Sequence, residues 1–507
     1  MVAVISTGFI IFDIILILVA ALLALWVYFQ HSYQYWKNKG VPYLKPSFPY
    51  GNNQFLFSKS VTFGGEAKSW YDQLKSEGHK FGGVWSLSRK VLVLVDPDYI
   101  RDVLSQDFHY FVNRDFFSNE EKDPLGTHLF NIRDPGWKPL RQKLTPTFTS
   151  GKMKMMFKTV LDCSNLLINY LEKSAKMGDD IEIREVLASF TTDVIGSVAF
   201  GIDCDSFDSA HAEFRRHGKK MFKTSWARFI IIFFLKNFPE LAKKIGFQVG
   251  RKDFKQFFAN VVKQTIEYRN KNNINRADFL QILINMNNEQ KEGEKPFTFE
   301  EIVANTILFF IAGFDTSSTA MNFTLYELAR NPDIQEKTRQ EIDKVLQKYN
   351  GEITYEALKE MTYLRQVLDE SMRLYPPLIS LARICTKDYQ LRGTNITIEK
   401  ETPVVISTLG LGRDPEYFPD PERFDPNRMI SEEKAKRHPY VYIPFGEGPR
   451  NCIGLRFGIM QSEIGLIRIL TNFKLSISPK TKMPLTINQT IFLLKENETL
   501  YLKAEKI

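Results

Sequence analysis

Residues 9–29 read FIIFDIILILVAALLALWVYF, with Asp13 as the single polar side chain. A bilayer core takes about 20 apolar residues as a helix, so this run predicts a membrane span. No lysine or arginine precedes it, it is longer than a signal-peptide core, and no small-x-small site follows it. All three features argue against a cleaved signal. The first basic residues, Lys37, Lys39 and Lys45, follow the span. By the positive-inside rule they place the body of the chain in the cytosol. The next stretch, KGVPYLKPSFPYGN at 39–52, holds Pro42, Pro46 and Pro49, which deny it a helix. It predicts a short, stiff arm. The chain therefore divides into a membrane anchor (1–30), a proline-rich linker (31–55) and one large body (56–507).

Within the body, strand-like alternation is confined to 84–95, 396–407 and the tail from Phe473 to Ala504. From 150 to 380 the spacing is almost wholly helical, and no repeat or linker interrupts it. The fold class is mainly α with small β-sheets. One helix has a marked start: Thr298 and Glu301 form a T-x-x-E capping box, and Pro332 stops the pattern that follows. Its centre, AGFDTSS from Ala312 to Ser318, puts a glycine, an acid and hydroxyl residues where helix stability disfavours them. A second apolar run, FIIIFFL at 229–235, is too short to span. With Trp226, Arg228 and Lys236 at its flanks, it reads as a patch dipping into the membrane surface.

Composition narrows the chemistry. The four cysteines, Cys163, Cys204, Cys385 and Cys452, are far apart, with no C-x-x-C pair. That spacing argues against a zinc or iron–sulfur site and a disulfide framework. The formal charge of +8 is spread over scattered lysines, without a nucleic-acid-binding motif, so nucleic acid is the weakest reading of the basic excess. The 41 phenylalanines read first as core and second as the wall of an aromatic pocket.

One cysteine stands in special backbone. PFGEGPRNCIG, Pro444 to Gly454, surrounds Cys452 with glycines, prolines and an arginine. A lone thiolate can be a nucleophile, a redox thiol or the single protein ligand of a metal cofactor. A nucleophile needs a nearby base, and none of the seven histidines lies in a pairing motif. A haem iron needs one axial cysteine, since the porphyrin supplies four ligands. Glycines let the backbone approach a macrocycle, and Arg450 can reach a propionate.

The string Phe445-x-x-Gly448-x-Arg450-x-Cys452-x-Gly454 resembles the haem-binding loop of the cytochrome P-450 monooxygenases. Other motifs of that family occur in its order: Trp137-x-x-x-Arg141, Ala312-Gly313-x-Asp315-Thr316, Glu370-x-x-Arg373 and Pro421-Glu-Arg423-Phe424. Stretches such as FVNRD, LTPTFTSGKMKMMF and LYPPLISLARICTKDY resemble the insect microsomal enzymes of family six, which are similar to the vertebrate drug-metabolising group. The resemblance runs from anchor to tail and implies a single large haem domain behind the transmembrane helix. It implies haem b with Cys452 as the iron ligand. It places Arg114, Trp137, Arg141, Arg383, Phe445 and Arg450 around the haem and its propionates, with Ala312 and Gly313 leaving space for dioxygen. Asp315 and Thr316 become a proton relay; the shorter acid stands where the family's microsomal members more often carry Glu. Glu370, Arg373 and Arg423 become a buried ion network serving fold and haem loading. The pocket walls become Leu129, Phe130, Leu308, Ile311, Leu378, Ile379, Leu381, Ile491 and Phe492. Taken alone, each arginine reads as a surface salt bridge and each wall residue as ordinary core; the motif context reverses that.

The implied activity inserts one oxygen atom of O2 into apolar small molecules, either xenobiotics such as plant toxins and insecticides or endogenous lipids. Electrons would come from NADPH through a membrane reductase, with cytochrome b5 as a further partner, at the cytosolic face of the endoplasmic reticulum. A haem-thiolate isomerase would dispense with the proton relay, so the Asp315–Thr316 pair counts against that class; a non-catalytic haem sensor is the third. Lys138, Lys143, Lys152 and Lys154, on or after the Trp137 segment, are the residues expected to steer an acidic reductase.

Overall fold

The computed structural model describes residues 2–54, 65–208, 213–222, 226–276, 278–288, 295–489 and 493–507; for residues 2–11, 220–222, 226–229 and 488–489 only the backbone is described. The apolar N-terminal run forms one helix, α1 (Val2–Ser32), and its side chains from Phe12 to Tyr28 are exposed. Such a helix fits a membrane anchor. Its last turn is different: Phe29, Tyr33 and then Trp36 are buried.

These rings dock on the antiparallel pair β1 (Phe81–Ser86) and β2 (Arg89–Leu94). The Trp36 indole donates to the Val84 carbonyl at 3.2 Å, and the Ser32 hydroxyl donates to the Ser88 carbonyl at 2.9 Å. Gly83 faces the Trp36 ring so closely that a Cβ would lie 2.2 Å from it. Residues 31–54 are therefore laid against the body rather than held out as the expected arm. The reason is apolar area: Trp36, Val41 and Leu44 gain far more from burial than a solvated linker permits.

The hairpin β1–β2 continues into a four-stranded sheet in the order β1-β2-β4-β3, with β3 at Leu381–Ile384 and β4 at Pro403–Ile406. β2 and β4 run parallel; the other pairs are antiparallel. At the C-terminus β5 (Phe473–Ile477) pairs with β8 (Tyr501–Lys506), and β6 (Ile487–Gln489) pairs with β7 (Leu494–Glu496).

The helical mass surrounds the long capped helix. In order come α2 (Trp137–Leu144), α3 (Ser150–Met177), α4 (Ile183–Ile195), α5 (Trp226–Asn237), α6 (Pro239–Lys244), α7 (Phe299–Arg330), α8 (Thr362–Leu374) and α9 (Leu455–Leu470). Both halves of the Thr298–Glu301 capping box are made. α7 runs unbroken through AGFDTSS, and Thr306, Thr316 and Thr324 each donate to the carbonyl four residues back. Those bonds satisfy the hydroxyls inside a buried helix. α7 packs against α4, α8 and α9 and is the centre of the larger hydrophobic core.

The 229–235 run is helical, in α5. Leu235 turns inward, while Ile230 and Ile231, followed by Phe238, Leu241 and Ile245, are exposed. Arg89, just past the turn that holds α1, donates to the Lys236 carbonyl at 2.7 Å and pairs with Asp115. The anchor's end and the end of α5 thus meet at one hairpin.

Candidate active site

The Cys452 loop is built on backbone that favours glycine. Gly446 and Gly448 have φ of +69° and +73°, and a Cβ on Gly448 would stand 1.8 Å from the Leu104 carbonyl oxygen. The Cys452 N–H donates to the Phe445 carbonyl at 2.9 Å, closing the loop. α9 begins at Leu455, so the sulfur sits just before a helix N-terminus, where the dipole favours an anion. The side chain opens into a cavity and is enclosed by protein elsewhere. Burial raises its thiol pKa; the Gly454 N–H, Arg114 and Arg141 act the other way.

That cavity lies between α7 and the Cys452 loop. Cys452, Phe445, Ala312, Gly313 and Thr316 line it, with Leu129, Phe130, Leu308, Leu378 and Leu381 on its apolar walls. Arg114, Trp137, Arg141, Arg383 and Arg450 also line it, and no carboxylate among the described residues does. Arg383 and Arg450 are buried, and the Nε of each makes no hydrogen bond among the described residues. Arg450 donates to the Ile132 carbonyl at 2.6 Å and lies 4.7 Å over the Trp137 ring; Arg114 donates to the Arg450 carbonyl at 2.8 Å. Arg141 grips Asn451 through two bonds, to its carbonyl and its side chain.

Like charges crowded into one dry site repel. Burial, then mutual repulsion, pulls Arg450 down to about 8 and Arg383 to about 9; burial, opposed in part by Cys452, pulls Arg114 to about 10. A cluster this costly calls for an anion. The site fits a flat apolar group carrying carboxylates, with a sulfur beneath it. Haem has that chemistry, and the arginines that line the cavity could pair with its propionates.

Several expected residues fall elsewhere. Ile379 is core, and Ile311 is half-buried off the cavity; Ile491 and Phe492 lie outside the described residues. Asp315 is buried on a different face of α7, its Oδ2 3.4 Å from Lys495 Nζ. Thr316 lines the cavity and Asp315 does not. The walls also include Phe148 and Met156, inside the LTPTFTSGKMKMMF stretch, and Phe116, Phe279 and Phe309, which lie in none of the quoted stretches and carry no signal beyond the phenylalanine excess.

The Glu370–Arg373 pair forms as expected, at 2.7 Å with both side chains fully buried. Arg423 is not its third charge. Its side chain is exposed and only its carbonyl accepts from Arg373, at 3.2 Å. Arg428 takes that place, 3.5 Å from Glu370, because the loop after Phe424 turns it inward. Of the four lysines, Lys154 pairs with Glu356 at 2.7 Å and Lys143 bonds the Lys295 carbonyl.

A mainly helical body enclosing an apolar cavity, with one cysteine and a rim of buried arginines, defines the class of haem-thiolate monooxygenases. The cytochrome P-450 family profile matches residues 42–503, and the chain belongs to that family. It is 42% identical over 498 residues to probable cytochrome P-450 6a20 of Drosophila melanogaster, covering 95% of this chain and 97% of the relative. Cytochrome P-450 6a2 and cytochrome P-450 6a8 of the same organism are each 38% identical, covering 97% and 96% of this chain and 100% and 98% of those relatives.

Proposed function

We propose that the chain is a microsomal monooxygenase that inserts one oxygen atom into apolar small molecules, either xenobiotics or endogenous lipids, with electrons from an NADPH-dependent reductase. The observation that carries this is the single cavity surface shared by Cys452, the buried arginines and the apolar walls. In this reading Cys452 holds the iron of haem b, and Arg114, Arg383 and Arg450 with Trp137 and Arg141 hold its propionates. When bound, the haem supplies reductive activation of dioxygen.

The chain's own residues do the rest. Ala312 and Gly313 line the cavity on the α7 side, and the missing side chain of Gly313 admits Ile195 against the helix. Thr316 presents a hydroxyl to the cavity while bonded to the Ala312 carbonyl. Asp315, its neighbour, is the source of protons from the other side of α7. Leu129, Phe130, Leu308, Leu378 and Leu381 exclude water and orient an apolar substrate, so position rather than reagent selects the product.

α1 spans the endoplasmic reticulum membrane, with the body at its cytosolic face. The exposed Ile230, Ile231, Phe238, Leu241 and Ile245 give that body a second contact with the bilayer. Lys138 and Lys152 steer the reductase, since Lys143 and Lys154 are engaged within the chain; cytochrome b5 is a further electron source. Incubating the haem-loaded protein with reductase, NADPH and panels of terpenoids, insecticides and fatty acids tests the assignment. Oxygenated products that require both NADPH and reductase are expected. Their absence across all panels overturns it.

A further inference from the structure

The Cys452 loop is braced from outside the cavity as well as from within it. Within, Arg114 and Arg141 donate to its backbone. Outside, the brace is the short helix Pro97–Arg101 and the π-turn Asp102–Gln106 that continues it. In that turn the Asp107 N–H donates to the Asp102 carbonyl, five residues back, at 2.8 Å. An extra residue in a helical turn re-aims the groups around it, and such turns occur frequently at functional sites. Here the Leu104 carbonyl is aimed at the loop. Its oxygen stands 1.8 Å and its carbon 2.8 Å from where a Gly448 Cβ would be, and Ser105 Oγ is 2.9 Å from the same place.

Two side-chain contacts tie this brace to the segment Pro439–Val441, which leads into the loop. The Tyr440 hydroxyl donates to Ser105 Oγ at 2.6 Å. His438 Nε2 lies 3.5 Å from Asp98, and its Nδ1 accepts from the Tyr440 N–H at 3.2 Å. Ile100, Val103, Leu104 and Ile443 belong to one apolar cluster. None of Leu104, Ser105, His438 and Tyr440 lines the cavity, so their effect on the reaction passes through the loop. The loop's own turns are closed by the N–H groups of Gly446, Asn451 and Cys452, which donate to Ile443, Gly448 and Phe445. Gly446 and Gly448 give it more backbone freedom to regain than any other residue type would, so an outside clamp has work to do there.

We propose that Tyr440, through Ser105, is a positioning residue for the iron ligand: their bond clamps the Leu104 carbonyl onto Gly448 and so keeps the Cys452 sulfur presented to the cavity. The inference rests on the reading of Cys452 as the haem ligand. Without the bond the π-turn withdraws, the turn at Gly448 relaxes, and the sulfur gains freedom to leave the iron while the rest of the body stays folded.

The test uses the full-length, haem-loaded chain, reduced with dithionite under carbon monoxide, so that neither reductase nor substrate takes part. The red-shifted Soret band reports the iron–sulfur bond, and tryptophan fluorescence reports the fold. Tyr440→Phe, Ser105→Ala, Ser105→Thr and the Tyr440→Phe/Ser105→Ala double variant are compared with the parent. Ser478→Ala is the control, because it removes a bond of the same 2.6 Å length, to Asp180, just after β5. In urea below the unfolding transition, the band should decay about tenfold faster in Tyr440→Phe and in Ser105→Ala. That is where the upper worth of one neutral hydrogen bond meets the lower loss seen when a metal ligand loses a supporting partner. The double variant should decay no faster than the single ones, since both remove one bond. Ser105→Thr keeps a hydroxyl and should stay near the parent. Ser478→Ala should lower the urea midpoint read by fluorescence without hastening the decay. If Tyr440→Phe and Ser105→Ala decay at the parent's rate, or Ser478→Ala hastens decay as much as they do, the bond is ordinary structure and the clamp is wrong. Additive effects in the double variant also overturn it. A parent without the red-shifted band removes Cys452 as the ligand, and the clamp falls with that reading.

Discussion

Replacing Arg373 by methionine tests the most deeply buried charge pair in the body. Arg373 and Glu370 are both fully buried. Arg373 makes five hydrogen bonds: two to Glu370 and one each to the carbonyls of Gly412, Pro421 and Arg423. Methionine fills much of the volume, so the loss is electrostatic. Glu370 would keep the Asp425 N–H at 3.0 Å and Arg428 at 3.5 Å, too little for a buried anion. Breaking a buried pair from one side costs about 3–5 kcal/mol, and each orphaned carbonyl adds about 1 kcal/mol or more. Against a total stability of roughly 5–15 kcal/mol, one substitution removes a large part of the margin. Those carbonyls belong to the segment leading to the Cys452 loop, so haem retention should fall with it. Urea unfolding, followed by tryptophan fluorescence and by the haem band, measures both. Arg423→Ala is the control: its side chain is exposed, and a change within about 0.5 kcal/mol is expected. The reasoning is refuted if Arg373→Met unfolds at the parent's urea concentration, or if Arg423→Ala is equally damaging.

Cys452→Ser should abolish the red-shifted Soret band of the reduced, carbon-monoxide-bound protein; persistence of that band would remove Cys452 as the iron ligand. Thr316→Ala should leave NADPH consumption largely intact while more of it emerges as hydrogen peroxide, and unchanged coupling would leave Thr316 only its bond to the Ala312 carbonyl. Deleting residues 1–24 should preserve the haem spectrum and leave residual binding to sedimented vesicles through α5 and α6, whereas deletion through Trp36 removes a buried indole worth about 3–5 kcal/mol and should lose the fold; full solubility of the shorter deletion would count against the α5–α6 contact. Glu463, pushed up to about 7 by burial with Arg365 and Asp369 nearby, holds its proton more tightly folded than unfolded. Its stabilising contribution is complete below about pH 4 and is lost as pH rises through about 7. Glu463→Gln should flatten the fall in urea midpoint over that window, and an unchanged slope would assign the fall to other groups.

Residues that carry a local rule were legible in the chain itself. The membrane helix follows from a run of apolar residues too long to be anything shorter. The start of α7 follows from Thr298 and Glu301. Gly446 and Gly448 mark the Cys452 loop because their positive φ favours glycine, and Gly448 also has the Leu104 carbonyl where a Cβ would stand. What remained illegible depends on which surfaces meet. A tryptophan at position 36 does not announce that it will bury itself on Val84 and turn a linker into part of the sheet. Arg423 belongs to the motif, yet Arg428 reaches Glu370, because the path of a loop decides which guanidinium points inward. Asp315 and Thr316 are adjacent in sequence, but the rotation of α7 against β7 gives one to the Lys495 cluster and the other to the cavity. Local sequence fixes backbone preferences over a few residues. The partner of a buried charge is chosen by packing between elements far apart in the chain, where one degree of freedom, the rotation of a helix about its axis, decides which side chain meets a charged cluster and which meets the cavity.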